Sequence, residues 1–211
     1  MSSLFFENTT LRWDLLLQFR NDVFIETGTF KGQGILTALQ CGFKEIHSIE
    51  IDSYFYDMAK ERYKENKNVH LHLGDSADVL WSIIEKIEKP ITFWLDGHWE
   101  PGYTVGRVEV PIIEELAAIR NHPIKTHSIL IDDINQAGVA PNPEWKAKGK
   151  CWQDISLETI IENLKKINPY YKIDFGDHPS PRGAKYAVLL AYTDRTNVND
   201  IQWRIDFEAI Y

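Results

Sequence analysis

Three aspartates lie directly after two predicted strands, where together they could bind a cation. Asp96 follows the apolar run 91–95, and Asp132 and Asp133 follow the apolar run 128–131. Because ligands of open parallel sheets bind outside the carboxyl ends of the strands, these side chains are expected to meet at that edge. Converging carboxylates repel one another, and a hard dication such as Mg²⁺ or Mn²⁺ would remove this repulsion. Alternatively, the aspartates cap helices or lie in solvated loops, as most aspartates do.

A histidine lies two positions after the first of these aspartates, in the sequence Asp96-Gly97-His98-Trp99. Free imidazole has a pKa near neutrality, so His98 could take a proton from a substrate as a general base. If the imidazole binds the metal instead, a softer ion such as Fe²⁺ or Zn²⁺ becomes possible. A lone histidine at a strand end can also be only a hydrogen-bonding loop residue, so all three roles stay open.

A loop with two glycines follows the first predicted strand, where residues 26–32 read ETGTFKG. Glycines let a ligand approach the backbone, and Glu50, near the end of the second strand, could accept hydrogen bonds from two ribose hydroxyls. The spacing of Gly28 and Gly32 does not fit the G-x-G-x-x-G pattern, which disfavours nicotinamide and flavin cofactors. The loop therefore indicates a nucleoside-bearing cofactor of another kind, although any α/β domain can carry two glycines at this point.

These motifs resemble those of a known enzyme class. The loop 26–32 is similar to the first motif of class I S-adenosylmethionine-dependent methyltransferases, and Phe30 resembles the aromatic residue that small-molecule O-methyltransferases commonly carry in place of the middle glycine. The three aspartates resemble the metal triad of Mg²⁺-dependent O-methyltransferases. The Asp132-Asp133 pair is closer to macrocin-type enzymes, which methylate sugar hydroxyls, than to catechol-type enzymes, which have Asp-Asn there. The likeness covers roughly residues 22–135.

The resemblance implies a metal-assisted transfer of a methyl group from S-adenosylmethionine (SAM) to a hydroxyl group of a small molecule. Asp96, Asp132 and Asp133 would hold Mg²⁺ or Mn²⁺, and Asp96 and His98 would act at the reacting centre. Catechol-type enzymes have a lysine base where this chain has Glu100, whereas macrocin-type enzymes often place an acid or histidine base near the position of His98. Other possibilities are a metal-independent methyltransferase, a metal-dependent hydrolase or oxygenase, and a non-catalytic SAM-binding module.

The resemblance also assigns the cofactor contacts. Glu50 would bind the ribose, Asp75 would accept the exocyclic amine of adenine, and Ser76 would hydrogen-bond to the ring. Asp75 or Ser76 could instead cap the next helix, and the two roles can coexist. Glu26 would lie near the methionine end of the cofactor or fix the glycine loop. The complete predicted cofactor site consists of Glu26, Thr27, Gly28, Thr29, Phe30, Gly32, Glu50, Ile51, Asp75, Ser76 and Asp96.

Two long predicted loops, 97–108 and 134–154, lie over the presumed site. Loops of this length without structure of their own are usually functional or disordered. Their aromatic side chains could form an apolar wall for a flat ring or a sugar face. Nearby cationic side chains favour an anionic substrate, although for the lysines a solvated charge run is the preferred alternative. The candidate substrate residues are Trp99, Tyr103, Arg107, Trp145, Trp152 and Arg182.

Strand and helix periodicities alternate along the chain. The predicted strands are 23–27, 45–51, 69–73, 91–95, 127–132, 170–175 and 184–192, and the predicted helices are 9–20, 33–41, 53–66 with Ser53 as a possible cap, 76–88, 109–121 and 155–167. This alternation predicts a single α/β domain, residues 1–211, with a doubly wound, mostly parallel sheet of about seven strands and a late antiparallel hairpin. Residues 201–211 alternate apolar and polar side chains, which predicts an extra C-terminal strand. This strand could extend the sheet within the chain or pair with another subunit. Because an exposed strand edge invites association, a homodimer is one expectation.

Charge and composition restrict the partners. The chain of 211 residues has a formal net charge of -8, which argues against nucleic acid as the main partner. No stretch approaches the roughly 18 apolar residues of a membrane helix, and charged residues interrupt the N-terminal segment, so neither a membrane span nor a signal peptide is expected. The two cysteines, Cys41 and Cys151, suggest no disulfide framework. These features predict a cytoplasmic protein, and the small-molecule substrate is what the resemblance implies.

Overall fold

The computed structural model describes most of the predicted domain. The described residues are 11–99, 104, 106–139, 151–176 and 187–194. The predicted extra strand 201–211 and three candidate substrate residues, Tyr103, Trp145 and Arg182, lie outside these residues. Each of them therefore stays a prediction of the sequence, as does the homodimer that the extra strand suggested.

Seven strands in the described residues form one sheet. They are β1 (Val23–Thr27), β2 (Glu45–Glu50), β3 (Val69–Leu73), β4 (Ile91–Leu95), β5 (Ser128–Ile131), β6 (Lys172–Gly176) and β7 (Val188–Tyr192). Their order across the sheet is β3-β2-β1-β4-β5-β7-β6. The first five strands pair in parallel, whereas β7 runs antiparallel to both β5 and β6. The predicted parallel sheet with a late antiparallel hairpin is thus confirmed.

Six α-helices in the described residues connect or flank these strands. They are α1 (Trp13–Gln18), α2 (Gln33–Gln40), α3 (Ser53–Arg62), α4 (Ser76–Ile84), α5 (Ile112–Asn121) and α6 (Leu157–Ile167). Each is shorter than its predicted range, because helix ends are the least well defined part of a periodic pattern. The prediction of Ser53 as a cap is wrong. The residue before it, Asp52, has an extended backbone, and its carboxylate accepts a hydrogen bond of 2.9 Å from the Tyr54 backbone N–H.

Helices cover both faces of the sheet. On β1, Ile25 packs into a cluster with residues of α4, α5 and α6, whereas its neighbour Phe24 packs into a second cluster with residues of α1, α2 and α3. Successive strand residues point to opposite faces, so this division shows a doubly wound sheet. With both faces covered, a ligand can reach the backbone at the carboxyl ends of the parallel strands. None of the helices in the described part of the chain is both long and apolar enough to cross a membrane.

Candidate active site

A cavity of about 280 Å³ opens at the carboxyl ends of the parallel strands. It lies beside the point between β1 and β4 where the strand order reverses. Gly28 has a φ of 87°, and a β-carbon at this position would lie 2.4 Å from the carbonyl oxygen of Asp96, so the turn requires glycine. The predicted site residues that line the cavity are Gly28, Phe30, Glu50, Ile51, Asp75, Ser76, Asp96, His98, Trp99, Asp132 and Asp133.

The Glu50 carboxylate is held in this cavity by two backbone N–H groups. The N–H of Phe30 donates to Oε2 at 2.7 Å, and the N–H of Asp52 donates to Oε1 at 2.8 Å. Phe30 has a positive φ of 44°, which is uncommon for a residue with a side chain. Burial raises the pKa of Glu50 above its usual value. The Ile51 backbone also hydrogen-bonds to this carboxylate. A carboxylate has about four acceptor positions, so Glu50 keeps acceptor capacity for a ligand hydroxyl.

Glu26, by contrast, is buried in the protein interior. The Ser48 hydroxyl donates to its Oε1 at 2.6 Å, and burial, with a smaller contribution from the charge of Glu50, raises the pKa of Glu26 to about 8. A β-carbon on Gly34 would lie only 1.7 Å from Oε2 of Glu26, so α2 approaches this carboxyl group closely. This geometry favours the second predicted role of Glu26, which is to fix the glycine loop.

Three further residues that were predicted to bind the cofactor do not line the cavity. Within the part of the chain that the structure describes, these are Thr27, Thr29 and Gly32. The hydroxyls of Thr29 and Ser48 are 2.5 Å apart, and the carbonyl of Gly32 accepts a hydrogen bond of 2.5 Å from the Tyr63 hydroxyl. The geometry indicates that these residues shape the glycine loop from behind.

Asp75 caps α4 and also holds the segment that follows β4. Its Oδ1 accepts a hydrogen bond of 3.0 Å from the Ala77 N–H, and its Oδ2 accepts one of 2.7 Å from the Arg107 N–H. Only the remaining lone pairs of this carboxylate could therefore accept the adenine amine. The guanidinium of Arg107 lies 3.3 Å from the carboxylate of Asp78, and both side chains are more than half exposed. Arg107 therefore forms a surface ion pair and is not part of the cavity lining that the structure describes.

The imidazole of His98 lies between two carboxylates. Its Nδ1 is 3.3 Å from Oδ1 of Asp96, and its Nε2 is 3.1 Å from Oδ2 of Asp133. Burial and the neighbouring Asp132 raise the pKa of Asp96 well above its usual value, while His98 opposes this shift. The ring of Trp152 packs 5.9 Å from the imidazole. The structure thus brings the three predicted aspartates and the predicted base together.

The side chains predicted to bind a metal are of a suitable chemical type, but they are not arranged as a metal site. Within the described ranges, no group of three histidine, cysteine, aspartate or glutamate side chains is arranged to hold a metal ion. His98 instead bridges Asp96 and Asp133. The donor set of Asp96, Asp132 and Asp133 nevertheless suits a hard dication, because a cation would offset the burial and the carboxylate repulsion that together raise the pKa of Asp96. The metal therefore stays a prediction.

One residue of this region, Glu115, was missed by the sequence analysis. It is 1% exposed, its Oε1 accepts a hydrogen bond of 2.6 Å from the Ser76 hydroxyl, and burial raises its pKa to about 7. A signal was present in the sequence. Glu115 shares the buried stripe of α5 with Ile112, Leu116 and Ile119, and an acid within an apolar stripe indicates a specific partner.

No known protein-family model and no curated protein sequence matches the chain, but several solved structures share its fold. An O-methyltransferase from Bacillus cereus, in complex with S-adenosylhomocysteine (SAH), is 11% identical with a TM-score of 0.58, over 86% of this chain and 78% of that one. The O-methyltransferase TomG from Streptomyces achromogenes, involved in tomaymycin synthesis and in complex with SAM, is 13% identical with a TM-score of 0.56, over 86% and 78%. A candidate rRNA methylase from Clostridium thermocellum is 11% identical with a TM-score of 0.54, over 85% and 92%.

These likenesses show the fold. The seven-stranded sheet with its terminal antiparallel hairpin is that of the class I SAM-dependent methyltransferases. Because one fold hosts many activities, the similarity does not determine what this chain does.

Proposed function

We propose that this chain transfers a methyl group from SAM to a hydroxyl group of a small molecule. The observation that carries the proposal is a single cavity that joins Glu50, a carboxylate suited to ribose, to His98, a histidine between two aspartates. Solved O-methyltransferases with the same fold hold SAM or SAH. A net charge of -8 favours a small molecule over RNA as the methyl acceptor.

His98 would act as the general base on the substrate hydroxyl. Neutral His98 would donate its one ring N–H to one of the two neighbouring aspartates, and its other ring nitrogen would accept the proton of the substrate hydroxyl. SAM, when bound, would supply its methyl group to the hydroxyl oxygen and leave as SAH. The carboxylates of Asp96 and Asp133 contact the two ring nitrogens and would stabilise the imidazolium that forms. Most of the rate enhancement would come from holding the hydroxyl and the methyl group in line.

Asp96, Asp132 and Asp133 would also hold Mg²⁺ or Mn²⁺ at the edge of the cavity. When bound, the ion would supply Lewis-acid chemistry, which lowers the pKa of a substrate hydroxyl. Trp99 lines the cavity and Trp152 packs near His98, so both could contact the methyl acceptor. A role for Tyr103, Trp145 and Arg182 in substrate binding, a cytoplasmic location and a homodimer rest on the sequence alone.

A calorimetric titration of SAM into the metal-stripped protein, repeated with Mg²⁺, tests the proposal. We expect micromolar binding, and we expect Glu50→Ala to abolish it because the ribose loses its acceptor. Glu45→Ala is the matched control, since it removes the same side chain at the opposite end of β2, where it is 40% exposed. This control should bind SAM like the wild type.

The absence of SAM binding by the wild type in both titrations would refute the proposal. If SAM binds, a screen of hydroxylated metabolites for methyl acceptance follows. Tight SAM binding without transfer to any hydroxylated compound would support the non-catalytic SAM-binding module instead.

A further inference from the structure

A buried carboxyl group lies beneath the turn that carries the candidate base. Glu115 projects from α5, is 1% exposed, and accepts a hydrogen bond of 2.6 Å from the Ser76 hydroxyl. It also hydrogen-bonds to the Thr27 side chain. The structure thus joins three elements at one buried group: the end of β1, the first residue of α4 and the middle of α5.

These polar groups converge under Gly97, the residue between Asp96 and His98. A β-carbon on Gly97 would lie 3.1 Å from Glu115 Oε1, 3.1 Å from Ser76 Oγ and 3.1 Å from Thr27 Oγ1. The three oxygens therefore pack directly against this turn. A shift of Glu115 would move the turn, because protein interiors are closely packed.

The directions of the hydrogen bonds to Glu115 determine whether Ser76 can donate or accept a further hydrogen bond. The backbone N–H of Asp96 donates to Thr27 Oγ1 at 3.1 Å, so the Thr27 hydroxyl proton is available for Glu115. The Ser76 hydroxyl proton also goes to Glu115. A hydroxyl has one proton and two lone pairs, so Ser76 is left as an acceptor where it lines the cavity. An acceptor at this place suits the exocyclic amine of adenine, which donates, and not the ring nitrogens that the sequence analysis gave to Ser76, because those nitrogens are acceptors themselves.

We propose that Glu115 is a positioning residue that joins the cofactor side of the cavity, through Ser76, to the catalytic turn, through Thr27 and Gly97. This inference rests on the proposed function and extends it. Glu115 acts on the reaction only through these neighbours. It orients the Ser76 lone pairs toward the cofactor, and it fixes the position of the turn that contains Asp96 and His98.

A double-mutant cycle on SAM binding tests the first half of this role. We expect Ser76→Ala and Glu115→Ala each to weaken SAM binding by about fivefold or more, since the first removes the acceptor and the second removes the hydrogen bond that orders it. The double variant should bind SAM no more than about twofold more weakly than Ser76→Ala, because residues that act through one contact are not additive. Fully additive losses, or unchanged SAM affinity in Glu115→Ala, would overturn the proposal.

Glu115→Gln keeps the size of the side chain and one oxygen that can accept from Ser76. It should therefore keep SAM affinity within about threefold of the wild type. If Glu115→Ala fails to fold, the comparison of Glu115→Gln with Ser76→Ala and Thr27→Val carries the test. An equal loss of affinity in Glu115→Gln and Ser76→Ala would contradict the proposed hydrogen-bond direction and so the proposal.

Thr27→Val and Thr92→Val form a matched pair for the second half of the role. Both threonines are fully buried on neighbouring strands. Thr92 bonds instead to Asn21 and to the Phe19 carbonyl, at the opposite end of the sheet. The two changes should lower stability by similar amounts, but only Thr27→Val should shift the nitrogen NMR signals of the His98 imidazole.

This NMR readout separates the two proposals. It uses the protein with isotope-labelled histidine, with the His98 signals assigned from His98→Asn, and it needs no cofactor. If the wild type does not bind SAM, the proposed function fails, yet the His98 signals still report on the turn. Unchanged His98 signals in both Thr27→Val and Glu115→Gln would overturn the positioning role even if SAM binds.

Discussion

The Nε2 atom of His98 lies 3.1 Å from Oδ2 of Asp133, and both residues line the cavity. The two residues belong to the segments that follow β4 and β5, so this contact depends on the parallel pairing of those strands. A carboxylate at this distance fixes the orientation of the imidazole ring. The pair would therefore hold the proposed base, His98, in place.

If His98 is the base, its removal should slow methyl transfer without abolishing SAM binding. We expect His98→Asn to lower kcat by about 100-fold or more, the usual contribution of a general base, and to change SAM affinity by no more than about twofold. Steady-state kinetics with an acceptor from the metabolite screen measures the rate. His70→Asn, at an exposed position of β3, is the control and should have wild-type kinetics. A fully active His98→Asn would rule out His98 as the base.

Mg²⁺ should stabilise the protein if the three aspartates bind it. At an ion concentration ten times Kd we expect Tm to rise by roughly 3–6 °C for a chain of this size. Asp132→Asn should abolish the rise because it removes a charged ligand, whereas His98→Asn should keep it because the proposed ligands are intact. Thermal unfolding with Mg²⁺ or with a chelator is the measurement. An undiminished rise in Asp132→Asn would place the ion elsewhere.

Gly34→Ala should destabilise the fold although Gly34 lies within α2. Alanine normally favours a helix by about 1 kcal/mol over glycine, but this β-carbon would lie 1.7 Å from Oε2 of Glu26. We expect a net loss of about 1–3 kcal/mol in the free energy of unfolding, measured in urea. Gly176→Ala is the control, because its nearest neighbour would be 3.7 Å away. If the clash is the cause, Glu26→Ala should lessen the cost of Gly34→Ala.

Glu26 should make the protein less stable as the pH rises. Its pKa of about 8 in the folded state exceeds its ordinary value of 4.5, because burial disfavours the charged form. Its contribution to stability is therefore complete below about pH 4.5 and is lost as the pH rises toward 8. Glu26→Gln cannot ionise. The Tm of this variant minus the Tm of the wild type should therefore increase by roughly 2–4 °C or more between pH 5 and pH 9. A Tm difference that does not change with pH would show that Glu26 is not protonated in the folded protein.

Local patterns in the sequence were sufficient to predict the fold and the edge of the sheet where the candidate site lies. The bounds of β1, β3 and β4 were predicted to the residue, because alternation and apolar runs are properties of neighbouring residues. The position of Asp96 and of Asp132 and Asp133 followed from the same patterns, since each comes directly after a strand. Parallel pairing then places all three at one edge.

Only the tertiary structure decided what surrounds each polar side chain. Glu26 and Glu50 lie at or near the ends of adjacent strands, yet Glu26 packs against Gly34 in the interior while Glu50 faces the cavity. Glu115 reaches Ser76 across 39 residues of sequence, and His98 reaches Asp133 from a different strand end. These surroundings determine burial, pKa and hydrogen-bond direction. They arise from contacts between residues far apart in the chain, which a local periodicity does not encode.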